Sequence, residues 1–212
     1  MSADRTDTRR TPVVPLRAGA GPENPPCPAC GEPLFGWLPR RPWLRGPVRV
    51  CASCGLGVVG EPDRPEAVLR ELDRVRGEHG SAIANRAGFA ASLGGPGWAA
   101  LGPGARYLFT LESVRRLVAR RDQVVRWRRS LSGSIVLTWQ TLLNSVTFGH
   151  NVAFAALRWG EFAAAERPWQ RRIDVLASVV LAVPALALAL AIELAAAPFG
   201  RGAVIMVRTE LL

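Results

Sequence analysis

Cys27-Pro28-Ala29-Cys30-Gly31 and Cys51-Ala52-Ser53-Cys54-Gly55 decide how the front of this chain folds. The spacing is C-x2-C-x20-C-x2-C. Two residues between thiolates let one tight turn present both sulfurs to one ion, and the glycine that follows relieves the backbone of that turn. Four soft anionic sulfurs in a tetrahedron suit Zn²⁺ and close its coordination sphere, so Cys27, Cys30, Cys51 and Cys54 read as a structural zinc site. A pair of disulfides is the other reading of four cysteines. Residues 1–26 hold no apolar run that could serve as a secretory signal core. The chain is therefore expected in the cytoplasm, where reducing conditions favour metal over disulfides.

With 212 residues, the chain has room for one ordinary domain and a small module. The formal net charge is +10, and each of the 27 basic residues is Arg. Such a balance favours anionic partners: lipid head groups or nucleic acid. Residues 1–26, polar and rich in Pro and Arg, read as a disordered leader.

Residues 27–60 form the expected zinc ribbon. Val48, Val50, Val58 and Val59 suit short strands, and Trp37 and Trp43 are expected to cover a small core. A module of this size is too small to fold on apolar burial alone, so metal would supply its folding energy. In residues 61–129, Asp63 and Glu66 have capping-box spacing before Val68, Leu69, Leu72 and Val75, which fall on one helical face. Ser81-Ala82-Ile83-Ala84 is a short candidate strand, and a glycine-rich loop is expected through Trp98. Thr110 is positioned to cap a second helix running to about Arg121, with Leu111, Val114, Leu117 and Val118 on its apolar side. Gln123–Trp127 and Ala203–Val207 read as strands.

An apolar two-helix insert, residues 130–200, separates those last two strands, and residues 201–212 return to the sheet. Ile135–Leu157 carries no Asp, Glu or Arg, and Val175–Ile192 is uncharged and more hydrophobic. The second stretch is about 27 Å long as a helix, near the thickness of a bilayer core. Two crossings would form a hairpin and leave the flanking strands on one side. The connecting Arg158, Arg167, Arg171 and Arg172 fit a shallow hairpin in one leaflet better. Burial against protein is the soluble alternative. Either membrane reading associates the chain with an anionic membrane surface through residues 135–192.

The order of these pieces resembles a class I S-adenosylmethionine-dependent methyltransferase that carries an N-terminal zinc ribbon. Cys-Pro-x-Cys-Gly, a gap, then Cys-x-x-Cys-Gly-Leu is similar to such ribbons. Asp63–Leu72 resembles the helix before that family's fifth strand, and Gly80–Asn85 the fifth strand itself. Tyr107–Leu117 resembles the approach to the sixth strand, and Gly200–Val207 the last strand. The resemblance implies an α+β remnant: a partial Rossmann-like sheet of three strands and two helices, with the last strand in the centre. The first four strands of a complete enzyme would lie between the ribbon and Asp63, and they are missing; no G-x-G-x-x-G follows a strand, since Gly55-x-Gly57 belongs to the ribbon. The expectation is a non-catalytic protein without an S-adenosylmethionine pocket, whose open sheet edge is covered by a protein partner, the ribbon or the insert. A methyltransferase subunit completed by a partner is the enzymatic alternative.

Other residues carry less chemistry. His79 and His150 lie far apart in sequence, neither has a nearby acidic motif suited to metal binding or proton transfer, and both read as structural or solvated. Arg40, Arg41, Arg45 and Arg49 interleave with Trp37 and Trp43, a pattern that could bind nucleic acid by stacking and phosphate contacts. The same residues also read as a small core with solvated arginines around it. Trp127, Trp139, Trp159 and Trp169 lie near or within the apolar segments, as at a membrane interface.

Overall fold

The computed structural model describes residues 24–78, 82–158, 164, 167–199 and 201–211. His79, Gly80, Ser81, Trp159, Gly200 and most of the expected leader lie outside these residues. Along the chain come β1 (Leu34–Leu38), β2 (Val48–Cys51), β3 (Gly57–Val59), α1 (Pro65–Glu78), β4 (Ala82–Ala84), α2 (Phe89–Gly94), β5 (Tyr107–Leu108), α3 (Leu111–Ala119), β6 (Gln123–Arg129), α4 (Leu131–Asn144), α5 (Val152–Arg158), α6 (Pro168–Ala196) and β7 (Val204–Leu211).

Two small sheets organise these elements. The first has the order β1-β2-β3-β5, with every neighbouring pair antiparallel. Side chains alternate across its pleat. Leu34, Val58 and Tyr107 enter one core with Val68, Leu72, Val114 and Leu117 from α1 and α3. Val48, Val59 and Leu108 enter another with Ala90, Ala91, Trp98 and Leu101. The second sheet has the order β4-β7-β6, also antiparallel throughout. Its C-terminal strand lies between the other two, as expected. Ile83, Ile205 and Val207 bury themselves in the first core.

The ribbon is therefore not a free-standing module. Cys27, Cys51 and Cys54 share one continuous core with α1, α3 and the second sheet. Its sheet borrows β5 from beyond residue 61. Trp37 and Trp43 do not cover a private ribbon core. Trp37 meets the fully buried Trp98 edge to face, with Arg86 over its ring at 4.7 Å. Trp43 stacks on His150 at 5.4 Å. Beyond β4, Arg86 N donates to Phe109 O, so the chain following β5 takes up the backbone there.

Local expectations hold at α3 and shift elsewhere. Thr110 caps α3: its hydroxyl accepts from Ser113 N, and the Ser113 hydroxyl accepts from Thr110 N. Asp63 does not close a capping box with Glu66. The helix starts at Pro65, and Asp63 Oδ2 turns to β5, accepting from Tyr107 Oη and Arg106. The expected glycine-rich loop contains α2, a helix of Ala, Ser and Leu that ends as the chain enters Gly94-Gly95-Pro96-Gly97.

The insert differs most from expectation. Ile135–Leu157 is not one helix but parts of α4 and α5, broken across residues 145–151. The break has two causes. Asn151 adopts the left-handed conformation (φ 58°), and the Asp174 carboxylate accepts from Phe148 N and Gly149 N. With 14 residues, α4 is only about 21 Å long and falls short of a bilayer core. Among the described residues, this stretch supplies no helix long enough for the first of two crossings. The 29-residue α6 is the one helix among the described residues long and apolar enough to cross a membrane.

Candidate functional site

The four cysteines converge at the edge of the first core. Each C-x2-C pair ends in a glycine with positive φ, 82° at Gly31 and 73° at Gly55. Gly31 N donates to Cys27 O, and Gly55 N to Cys51 O, so the two turns are built alike. A side chain at Gly55 is also barred sterically, since a Cβ would lie 2.8 Å from Thr110 Cγ2. These turns bring all four sulfurs within 4.8 Å of one another, with Cys27 to Cys54 at 3.6 Å and Cys30 to Cys51 at 3.4 Å. None of the four is in a disulfide. The sulfur pairs stand well beyond the length of an S–S bond, about 2 Å. Four close sulfurs on two knuckles could hold a metal ion such as zinc.

The electrostatics fit a cation. Hydrogen bonding to Cys51, with burial adding to it, pushes the Cys27 thiol up to about 12. Hydrogen bonds with Cys27 and Cys51 push Cys54 up as well, and the bonds that Cys51 receives from both pull it down. Four thiolates coexist there only around a positive ion. Two arginines of α3 reach the knuckles: Arg116 donates to Ser53 Oγ, and Arg120 to Ala29 O. They offset part of the charge that four thiolates carry.

A second surface stands out on α6. Its buried positions are Asp174, Ser178, Ala189, Glu193 and Ala196, and all of them are polar or small. Its large aliphatic residues point outward, with Val183 76% exposed, Val179 70%, and Leu176 and Val180 63% each. The usual orientation of a surface helix is reversed. The buried acids explain the reversal. The Thr138 hydroxyl of α4 donates to Glu193 Oε1, and Ala203 N donates to Oε2. At the other end, Asp174 caps the turn after α4. In between, Trp139 Nε1 donates to Ala182 O, near the interruption that Pro184 makes in the helix ladder. The spacing of Asp174, Ser178, Ala189, Glu193 and Ala196 is visible in the sequence and is the signal that could have found this inner face. Hydropathy alone conceals it.

The remaining candidates resolve individually. His150 is 2% exposed, and burial lowers its pKa to about 4. It belongs to a buried polar hub that sequence reading does not find. Asn144 Nδ2 donates to Gly97 O and to Asn151 Oδ1, and Asn151 Nδ2 donates to Ala99 O. Trp37 and Trp43 are both engaged inside the protein, and Arg49 donates to Gly60 O and pairs with Glu61. Trp169 is half-exposed at the start of α6 and meets Phe148 edge to face. No family model, curated protein or solved structure matches this chain.

Proposed function

We propose that this chain is a non-catalytic, membrane-associated zinc-ribbon protein that works as a scaffold or partner subunit, built on the rear part of a methyltransferase-like fold. The observation that carries the reading is the reversed α6, which holds its acids inward and its aliphatic face outward. Fully burying one such aliphatic side chain gains roughly 1.5–3 kcal/mol. Several together outweigh the ordering cost of binding a surface.

The geometry favours an in-plane attachment over a crossing. From Asp174 to Glu193, the inner side of α6 meets α4 and the turn that follows it. The other side of α4 meets the chain after α2, where Thr141 accepts from Ala99 N and Asn144 donates to Gly97 O, and His150 in the turn beyond α4 stacks on Trp43 of the ribbon. A bilayer-spanning α6 would drag these polar layers into hydrocarbon. A helix lying along the lipid surface leaves them in water.

The strand order β4-β7-β6 supports the methyltransferase-like part of the reading, since it is the order that the resemblance implies. The bond from Arg86 N to Phe109 O lends less support to a second subunit completing the sheet beyond β4. Membrane fractionation of cells expressing the full chain tests attachment. Retention in the membrane pellet through a molar salt wash, with release by detergent, is expected; recovery in the soluble fraction at low salt would refute it. Calorimetric titration with S-adenosylmethionine tests the non-catalytic part, and micromolar binding would refute that.

A further inference from the structure

We propose that the N-terminal third of α6 forms a binding groove for one anionic phospholipid, with Arg171 and Arg172 on its head group and Val175, Leu176 and Val179 along its acyl chain. The proposal rests on membrane attachment as argued above and adds lipid selectivity to it. These residues, with Pro168 of the same helix and Ala164 ahead of it, line an open concavity of about 800 Å³ whose wall is largely apolar. Arginine at one end and branched aliphatics along the next two turns match the two halves of a phospholipid.

Charge complementarity identifies the occupant. Residues 158–172 hold four arginines against Glu161 and Glu166. Among the described residues, Arg167, Arg171 and Arg172 are exposed and have no ion pair, as is also true of Arg64, Arg70, Arg115, Arg128, Arg129 and Arg208; what sets Arg171 and Arg172 apart is their place at the end of an exposed aliphatic face. The acids of α6 itself, Asp174 and Glu193, are buried on its inner face and bound to backbone and Thr138. The outer face therefore presents positive charge at one end and hydrocarbon along its length. The guanidinium fork suits a phosphodiester. The Trp169–Phe148 pair stands beside the arginines, where an aromatic belt would meet the head-group region.

Vesicle co-sedimentation of the zinc-loaded full chain tests this. Phosphatidylcholine vesicles are compared with vesicles containing phosphatidylglycerol at one part in three. Wild type is expected to bind the anionic vesicles at least tenfold more tightly, since each arginine near such a surface contributes about fivefold. R171Q/R172Q should lose most of that preference, keep its binding to phosphatidylcholine, and melt as wild type does. R128Q/R208Q, which removes two exposed arginines from the second sheet, should retain most of it. If R128Q/R208Q loses as much as R171Q/R172Q, the preference belongs to net charge and the groove is refuted. Equal wild-type binding to both vesicles refutes the groove but leaves membrane attachment standing. Binding to neither refutes attachment itself, and a stable dimer in light scattering would assign the apolar face to a second copy instead.

Discussion

The Thr110 hydroxyl donates to the carbonyl of Cys54 at 2.6 Å while accepting from Ser113 N. One side chain thus caps α3 and pins the second cysteine knuckle. Removing it in Thr110→Ala costs the cap, about 1 kcal/mol. It also leaves a buried carbonyl unpaired, at roughly 1–3 kcal/mol. A total loss of about 2–4 kcal/mol is expected in urea unfolding of the metal-loaded protein. Metal affinity in chelator competition should fall with it. Thr110→Ser keeps the hydroxyl and should recover most of both.

Metal removal should reach further than the ribbon. Cys27, Cys51 and Cys54 lie in the same core as Val68, Leu72, Val114 and Val207. Stripping the ion with a strong chelator is expected to lower the melting temperature of the whole chain in a single transition, with loss of helical signal from α1 and α3. A ribbon that melted alone, followed by an unshifted second transition, would contradict the shared core. Zinc added back should restore the original midpoint.

Much of this arrangement is legible in the sequence because short-range chemistry dictates it. The C-x2-C-Gly turns, the Thr110 cap and the Val68-Leu69-Leu72-Val75 face each depend on residues within a few positions of one another. What stays hidden depends on distant partners. Nothing near Trp43 announces a stack on His150, more than a hundred residues away. The apolar run around Leu143 reads as unbroken until Asp174 arrives from α6 to hold the turn at Gly149. Hydropathy marks α6 as apolar but cannot say which side faces protein. That follows only once Thr138 and Ala203 are seen at Glu193.

Asp174 tests the interrupted insert directly. Its carboxylate is fully buried, and both oxygens accept backbone N–H bonds, from Phe148 at 2.6 Å and Gly149 at 2.8 Å. Asp174→Asn replaces one acceptor with a donor that faces an N–H. The expected loss is about 2–3 kcal/mol, the upper part of the range for a buried polar group left unpaired. Hydrogen exchange at Phe148 and Gly149 should accelerate before the rest of the chain changes. Asp174→Glu, one methylene longer on a face packed against the turn, should not rescue it.

His150 gives the fold an acid-sensitive point at the junction of the ribbon layer and α4. Burial lowers its pKa from 6.5 to about 4, because charging the ring between Trp43 and Asn144 would strip it of water. The unfolded chain therefore binds more protons than the folded one between those two values, and stability rises with pH across that window. Above 6.5 both states are neutral at this residue and it adds no slope. As pH falls from 6.5 to about 4, roughly 3 kcal/mol is lost, and below that the contribution is flat. His150→Gln removes the titrating group while placing an uncharged amide beside Asn144. Its stability at neutral pH should drop through loss of the stack, but its slope between pH 6.5 and 4 should be shallower than wild type by that amount. Acid release of metal from the cysteines acts on both proteins alike, so the difference between the two curves isolates the histidine. Parallel curves across that window would show that His150 is charged in the fold.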